Sequence, residues 1–401
     1  MSARYDVAVI GAGLVGCAAA FELGRRRRRV VVLDQGEVNR GASGRNAGSL
    51  HFQIEPRMLE HGGDPRRLEQ LIPVNLQAIE DWRRLPALLQ RELELAMHGG
   101  LMVAETPAER ALLARKWEVE QRGGLPVRLL EGAELRSLAP YLADQVCCAS
   151  YCPAEGHANP RFVTPAYAAA ARRLGAEIIP GARVRALEAR SEGWRVHVER
   201  MREGGGIPAA SFPVDVEAVL VAAGAWSTEI LAPYGVRVPL EPVALGMNVT
   251  ERCMPVVHHL VQHVGQRLSV KQVEAGNVLI GGGWPASLPA RPDLGPDPQV
   301  RPRESAMIGN AAIAIHVVPA LAGLHLIRTW CGIASVSPDH LPVLGPVAAL
   351  PGVFIAAGES SFTLGPTYAR LVSELICLGQ ASMPLHLYRP SRFERAADRS
   401  A

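Results

Sequence analysis

The stretch Tyr5-Asp-Val-Ala-Val-Ile-Gly-Ala-Gly-Leu-Val-Gly16, followed after an Ala-rich segment by Val30-Val-Val-Leu-Asp34, decides the fold. Tyr5 to Ile10 is an apolar run of strand length, and Val30 to Asp34 is a second. Between them Gly11 to Gly16 forms a turn, and Leu14 to Leu23 has helical composition with Gly24 expected in the C′ position. Strand, glycine turn, helix and strand make a βαβ unit, which sets two parallel strands at the start of a doubly wound sheet. In that setting G-x-G-x-x-G is a dinucleotide turn. Its glycines allow the tight bend, the approach of backbone to pyrophosphate and the packing of helix on sheet, while the helix N-terminus offers partial positive charge. Asp34 ends the second strand, where a carboxylate can accept both ribose hydroxyls and disfavours a 2′-phosphate.

The rest of the composition narrows the field. A chain of 401 residues, 48% hydrophobic and 20% charged, suits two or three domains with a sizeable core and excludes a disordered tail. The net charge is only +3, too little for a nucleic-acid surface, so no nucleic-acid partner is expected. Forty of the 42 basic residues are arginine, the exceptions being Lys116 and Lys271, so an arginine by itself says little. The Arg25–Arg29 run reads as solvated surface charge. Tyr5–Ile10 has no leader-like pattern before it, and the longest apolar stretch, Ala311 to Ile327, is interrupted by His316, Pro319 and His325. No transmembrane segment is expected, although peripheral membrane association stays open. Seven cysteines without framework spacing suit reduced thiols and a cytoplasmic location. Cys147-Cys148 with Cys152, and His258-His259, lack the partners a metal site needs, so no metal is expected.

Further along, residues 66–97 and 107–122 have helical spacing, as does Ala166 to Leu174 before a strand ending at Ile179. Ala182 to Leu187 is a strand, and Trp194 to Glu199 alternates like an exposed edge strand. Gly204-Gly205-Gly206 reads as a hairpin loop, Glu217 to Val221 as a buried strand, 240–285 as β-rich, and 285–303 as Pro-rich loop. Val353–Ala357 and Thr367–Leu378 return to strand and helix. The order implies an α/β protein: a Rossmann-like nucleotide-binding domain built from 1–95, 150–238 and 325–401, with an inserted α+β substrate or partner domain from 96–149 and 239–324.

Two loops point to a flavin rather than a nicotinamide. Gly41-Ala-Ser-Gly-Arg-Asn-Ala-Gly-Ser-Leu-His51 offers backbone donors with little bulk beside a phosphate and a planar ring, though a flexible linker would look similar. Gly358-Glu-Ser-Ser-Phe-Thr-Leu-Gly-Pro366 leads into a helix whose N-terminus would face the electron-rich edge of a flavin. With these segments, Ala222-Ala-Gly-Ala-Trp-Ser227, Leu279-Ile-Gly-Gly-Gly283 and Ser337-Pro-Asp-His-Leu-Pro-Val-Leu-Gly345, the chain resembles the D-amino-acid-oxidase-like FAD-dependent amine oxidoreductases over nearly its whole length. Within that family, Cys152-Pro-Ala-Glu-Gly-His-Ala-Asn-Pro160, Ser49-Leu-His51 and Val270–Asn277 look like the FAD subunits of heteromeric proline, D-hydroxyproline and opine dehydrogenases and of hydrogen cyanide synthase.

The resemblance implies a glutathione-reductase-like fold and FAD held by Gly11, Gly13, Gly16, Asp34 and Gln35. It adds Ser43, Arg45, Asn46, Ala47, Gly48, Ser49 and Leu50 from the second loop, and Gly358, Ser361, Phe362, Thr363 and Leu364 from the third. Val184 would meet the adenine through its main chain, and Ala223 and Gly224 would pass the nucleotide half. It implies oxidation of an amine by hydride transfer to flavin N5, giving an imine, with electrons passed to subunits carrying FMN or FAD and an iron–sulfur centre. Two alternatives stand beside this: a self-contained oxidase of the glycine or sarcosine type, and a non-catalytic electron-relay subunit. Relatives that bind amino-acid carboxylates often carry Arg two residues after the glycine of Trp-x-Gly, where Trp330-Cys-Gly-Ile-Ala334 has alanine. His51, at the end of the ring-side loop, is the first catalytic candidate, against the alternative of a packed histidine. Lys271, Trp330 and Trp284 are others, with Lys271 expected either to replace the missing arginine or simply to face solvent.

Overall fold

A computed structural model describes residues 5–60, 64–201, 210–289 and 299–393. The expected Gly204–Gly206 hairpin lies outside these residues, as does the middle of the Pro-rich loop. Tyr5–Ile10 pairs in parallel with Val30–Leu33 on one side and Ala210–Val221 on the other. Glu177–Ile179 and Val353–Ala357 extend the parallel set, and Val343–Pro346 adds an antiparallel edge. These strands read as unbroken apolar runs because both faces are covered. Val7, Val9, Val30 and Val32 face the helices Leu14–Arg25, Pro160–Arg173 and Gly365–Leu378, while Ala8, Ile10, Val31 and Leu33 face the opposite core.

That opposite core is closed by Ala182–Ala189, Trp194–Arg200 and the first half of Ala210–Val221, an antiparallel trio. Trp194–Arg200 is therefore the middle strand of three and not an exposed edge. Its outward residues survive there by cross-strand pairing: Arg195 bonds Asp215 at 2.8 Å, and His197 Nε2 lies 2.8 Å from Glu188.

A second sheet of eight strands runs in the order Leu326–Val336, Glu241–Arg252, Asn277–Gly281, Ser269–Gln272, Leu260–His263, Gly100–Ala104, Cys148–Cys152 and Arg128–Glu131. Leu326–Val336, which the sequence division gave to the nucleotide-binding part, pairs along its length with Glu241–Arg252 in this sheet, and Cys148–Cys152 straddles the division drawn at 150. Helix Glu304–Val317, unforeseen because it has no charge between its first residue and His316 to mark a polar face, covers the sheet through Ala314 and Val317.

Other boundaries shift for local reasons. Gly24 lies inside the first helix, which ends at Arg25; its C-cap is Arg26, and Arg27 takes the left-handed conformation at φ 61°. Gly24 instead permits close packing, since a Cβ there would sit 3.0 Å from Leu174. The charges of the following run pair locally: Arg25 and Arg26 bond Glu22, and Arg29 bonds Asp6. The segment 66–97 is two helices, Pro65–Glu69 and Ile72–Leu89, and the helix expected from Ala166 begins six residues earlier, where Asn159 caps it by accepting from Arg161 N.

Candidate active site

The glycine turn is built by exclusion. Gly11 has φ +111°, and a Cβ there would lie 2.5 Å from the Ala222 carbonyl oxygen; at Gly16 it would lie 1.9 Å from that of Gly11. Gly16 therefore seats the helix on the turn and does not reach the cavity. Gly13 is the helix N-cap, and with no side chain of its own the first free helix donor, Leu14 N, goes to Ser43 Oγ at 2.9 Å. Asp34 accepts from Ala12 N at 2.6 Å and Gly36 N at 2.8 Å, fixing the turn against the second strand. Burial pushes its carboxyl up, with those two N–H bonds opposing.

The second loop is pinned between the sheets. Ala42–Arg45 is one helical turn, closed by Asn46, whose side chain donates to Ser43 O and accepts from Gly48 N, both at 2.7 Å. Trp330 Nε1 donates to Arg45 O at 2.8 Å. Lys271, 2% exposed, donates to Ala47 O and to Ser49 Oγ. Ser49–Leu50 then pairs antiparallel with Gly156–His157. The third loop is stitched to the second: His51 N donates to Thr363 Oγ1 at 3.3 Å, Thr363 Oγ1 donates to Ser49 O at 3.3 Å, and buried Trp82 donates to Thr363 O at 2.6 Å. Leu364 follows as the N-cap of the last helix, with Pro366 in its first turn.

These parts enclose one cavity of about 1160 Å³. It exceeds the roughly 300–1,000 Å³ of an ordinary small-molecule site, which leaves room for a dinucleotide and a small substrate together. Gly11, Gly13, Asp34, Gln35, Ser43, Asn46, Ala47, Gly48, Ser49 and His51 line it, with Val184, Ala223, Gly224, Gly358, Ser361, Phe362 and Thr363. Gly16, Arg45, Leu50 and Leu364 stand behind that wall.

Three catalytic candidates lie off the cavity. Lys271 is behind the second loop and neither faces solvent nor reaches a substrate position. Trp330 supports Arg45 from beneath, and Trp284 donates to Arg267 O at 2.7 Å with its ring against Gly309. His51 does line the cavity, its Nε2 3.4 Å from Ser269 Oγ. Burial and then the charge of Lys271 push its imidazole down to about 3, against a hydrogen bond with Gln262. It is neutral at ordinary pH.

Sequence reasoning named Gly281–Gly283 and Ala334 without placing them, and missed the rest of the far wall. Leu245–Met247, Gln262–Ser269, Gly281–Gly283 and Ile333–Val336 come from strands that only the sheet register brings together. Ala334, at the position where relatives often carry arginine, is on this wall. Glu55, Pro56, Arg57 and Glu359 also line the cavity, with Arg57 bonding Glu359 at 3.3 Å; extending the second loop by a few residues would have found the first three, and Glu359 already lies inside the third.

Behind His51, Glu155 accepts from Phe52 N, Gln53 N and Gln53 Nε2 at 2.7–3.0 Å. Lys116 donates to Gln53 Oε1 at 2.7 Å and to Glu120 at 2.8 Å, and Glu120 accepts from Ile54 N at 2.8 Å. Burial pushes the Glu155 carboxyl up to about 7.

A dinucleotide turn at one end of the cavity and the wall of the second sheet at the other define an oxidoreductase with room for a dinucleotide beside a substrate space. The chain belongs to the FAD dependent oxidoreductase (DAO) family, which it matches over residues 6–375. It is 29% identical to glycine oxidase of Geobacillus kaustophilus, over 94% of each chain. It is 24% identical to an opine oxidase subunit of Agrobacterium tumefaciens, over 97% of this chain and 98% of that one. Its fold matches that of L-proline dehydrogenase from P. horikoshii with a TM-score of 0.84, over 99% of both chains at 24% identity. It is an FAD-dependent oxidoreductase.

Proposed function

We propose that this chain is the catalytic FAD subunit of a heteromeric amine dehydrogenase. It oxidises a secondary amine or amino-acid derivative, such as an opine, proline or hydroxyproline, to an imine, and passes the electrons to partner subunits carrying FMN or FAD and an iron–sulfur centre. The observation that carries the catalytic role is the continuous cavity running from the glycine turn past His51 to the second sheet. Likeness over the full length to one subunit of an opine oxidase supports the partners. Seven free thiols suit a cytoplasmic setting.

In this reading Gly11, Gly13 and the Leu14 helix receive the pyrophosphate, Asp34 takes the ribose hydroxyls, and Val184 and Ala223 flank the adenosine. Asn46–Ser49 and Ser361–Thr363 hold the flavin end. Bound FAD supplies the hydride acceptor. The chain supplies position: His51, held by Thr363 and Ser269, stands neutral beside the substrate space and adds no positive charge against an amine. The first sheet with its helices is the nucleotide-binding part, and the second sheet forms the wall facing the reacting end.

Likeness to glycine oxidase favours a second reading, a self-contained oxidase. Anaerobic mixing of the FAD-loaded chain with candidate amines decides between them. Bleaching of the flavin absorbance without stoichiometric peroxide on admission of air is the expected result. Rapid turnover with stoichiometric peroxide establishes the oxidase instead, and no bleaching with any amine leaves a relay subunit.

A further inference from the structure

The far wall of the cavity holds a turn that is rigid from both sides. His263 Nδ1 accepts from Gly265 N and Gln266 N, each at 3.0 Å, which fixes the start of the turn. Trp284 Nε1 holds the Arg267 carbonyl at 2.7 Å, and Gly282 leaves room for the backbone of Leu268, which a Cβ would approach to 2.5 Å. Ser269, two residues on, is the neighbour of His51. The residue held between these supports, Arg267, is exposed on the cavity wall, and its guanidinium makes no hydrogen bond or ion pair among the described residues. Among the described residues of the second sheet on this wall it is the only arginine or lysine, and no aspartate or glutamate stands there.

We propose that Arg267 binds the carboxylate of the amine substrate and so replaces the arginine that Ala334 lacks. The substrate is then an amine bearing a carboxylate, and this rests on the functional reading above. A guanidinium pairs with a carboxylate through two parallel N–H bonds, and the pair is strongest when the donor's backbone is already fixed. Here the backbone is fixed by His263 and Trp284, so little order is lost on binding. Lys271 is not available for this role, because its donors serve Ala47 and Ser49.

The test compares wild type with Arg267→Ala and Arg267→Lys, all loaded with FAD. Carboxylated amines and their uncarboxylated counterparts, such as proline and pyrrolidine, are mixed anaerobically and flavin reduction is followed. Arg267→Ala is expected to raise half-saturation for the carboxylated amine by at least about tenfold while the limiting rate holds, with Arg267→Lys between. The counterpart's half-saturation is expected to stay unchanged. Equal half-saturation in wild type and Arg267→Ala overturns the proposal and leaves the functional reading standing. If no amine reduces the wild-type flavin, that reading fails, and titration with acetate and benzoate, followed by the flavin absorbance shift, still decides for Arg267. A shift weakened by Arg267→Ala supports the site; an equal shift, or none in wild type, overturns it.

Discussion

Lys271 of the second sheet donates to Ser49 Oγ of the loop beneath the cavity at 2.8 Å. The bond ties the second sheet to the second loop, and it does so with a buried ammonium that no carboxylate neutralises among the described residues. Burial brings its pKa down from 10.5 to about 7. The folded chain therefore releases this proton more readily than the unfolded chain, which binds more protons between pH 7 and 10.5. Stability is expected to rise with pH across that window, by up to about 1.4 kcal/mol per unit, and to be flat in this contribution below pH 7. Lys271→Met removes the slope but frees Ala47 and Ser49, so FAD is expected to dissociate more readily. Denaturant titrations at pH 7 and 9 with and without FAD measure both effects; an unchanged slope in Lys271→Met refutes the assignment.

The glycine turn separates folding from binding. Gly16→Ala puts a methyl 1.9 Å from the Gly11 carbonyl oxygen, a backbone atom of the turn itself, and 3.3 Å from the Val9 side chain. Loss of folding is expected. Gly13→Ala meets only the Ser43 side chain, its hydroxyl at 3.0 Å, so accommodating the methyl costs at most the Leu14 N–Ser43 Oγ bond. That variant is expected to fold with a near-native melting temperature in the absence of FAD, yet to bind FAD at least about tenfold more weakly, because the methyl stands where the helix donors face the cavity. Circular dichroism melts and FAD titration of the apoprotein check the pair.

Glu155 carries the segment that follows His51. In Glu155→Gln the oxygen can still accept from Phe52 N and Gln53 N, but the amide nitrogen then faces the Gln53 amide donor. Gln53 has no freedom to flip, because its oxygen already accepts from Lys116 and from Ser150 Oγ at 2.7 Å. A loss of about 1–3 kcal/mol is expected at pH 8. At low pH the difference changes in a defined sense. The raised carboxyl makes wild type more stable below pH 4.5 than above 7, a contribution lost as pH rises through that window and absent from the variant. Denaturation at pH 5 and 8 reads this directly.

What the sequence showed and what it hid divide along a physical line. The glycine turn, Asp34 and the two small-residue loops were legible because their chemistry is local: a turn, a strand end, a helix start. The parallel strands were legible because burial on both faces leaves only apolar residues. Trp194–Arg200 misled because a polar alternation is the same whether water or a neighbour's opposite charge faces it, as Arg195 and Asp215 show. The wall around Arg267 and Ala334 was hidden because strands some seventy residues apart meet there only through sheet register. In a chain of forty arginines and two lysines, both lysines proved buried, each a compact ammonium held by neighbouring oxygens.

His51 is the one catalytic candidate that the fold brings to the cavity, and its neutrality makes a sharp prediction. His51→Asn keeps a polar group near Ser269, whereas His51→Ala leaves a gap beside the substrate space. Both are expected to retain FAD, since the main-chain bond from residue 51 to Thr363 survives. Flavin reduction by the amine is expected to slow by about tenfold or more in His51→Ala and less in His51→Asn. Because the imidazole sits near pKa 3, the pH dependence of reduction around 6.5 should be the same in wild type and both variants, any inflection there belonging to the substrate amine or another group. Stopped-flow reduction from pH 6 to 9 measures rate and profile together. Full rate with full FAD content in His51→Ala would remove His51 from the site, while loss of an inflection near 6.5 would show that it titrates and that the cavity wets it in the complex.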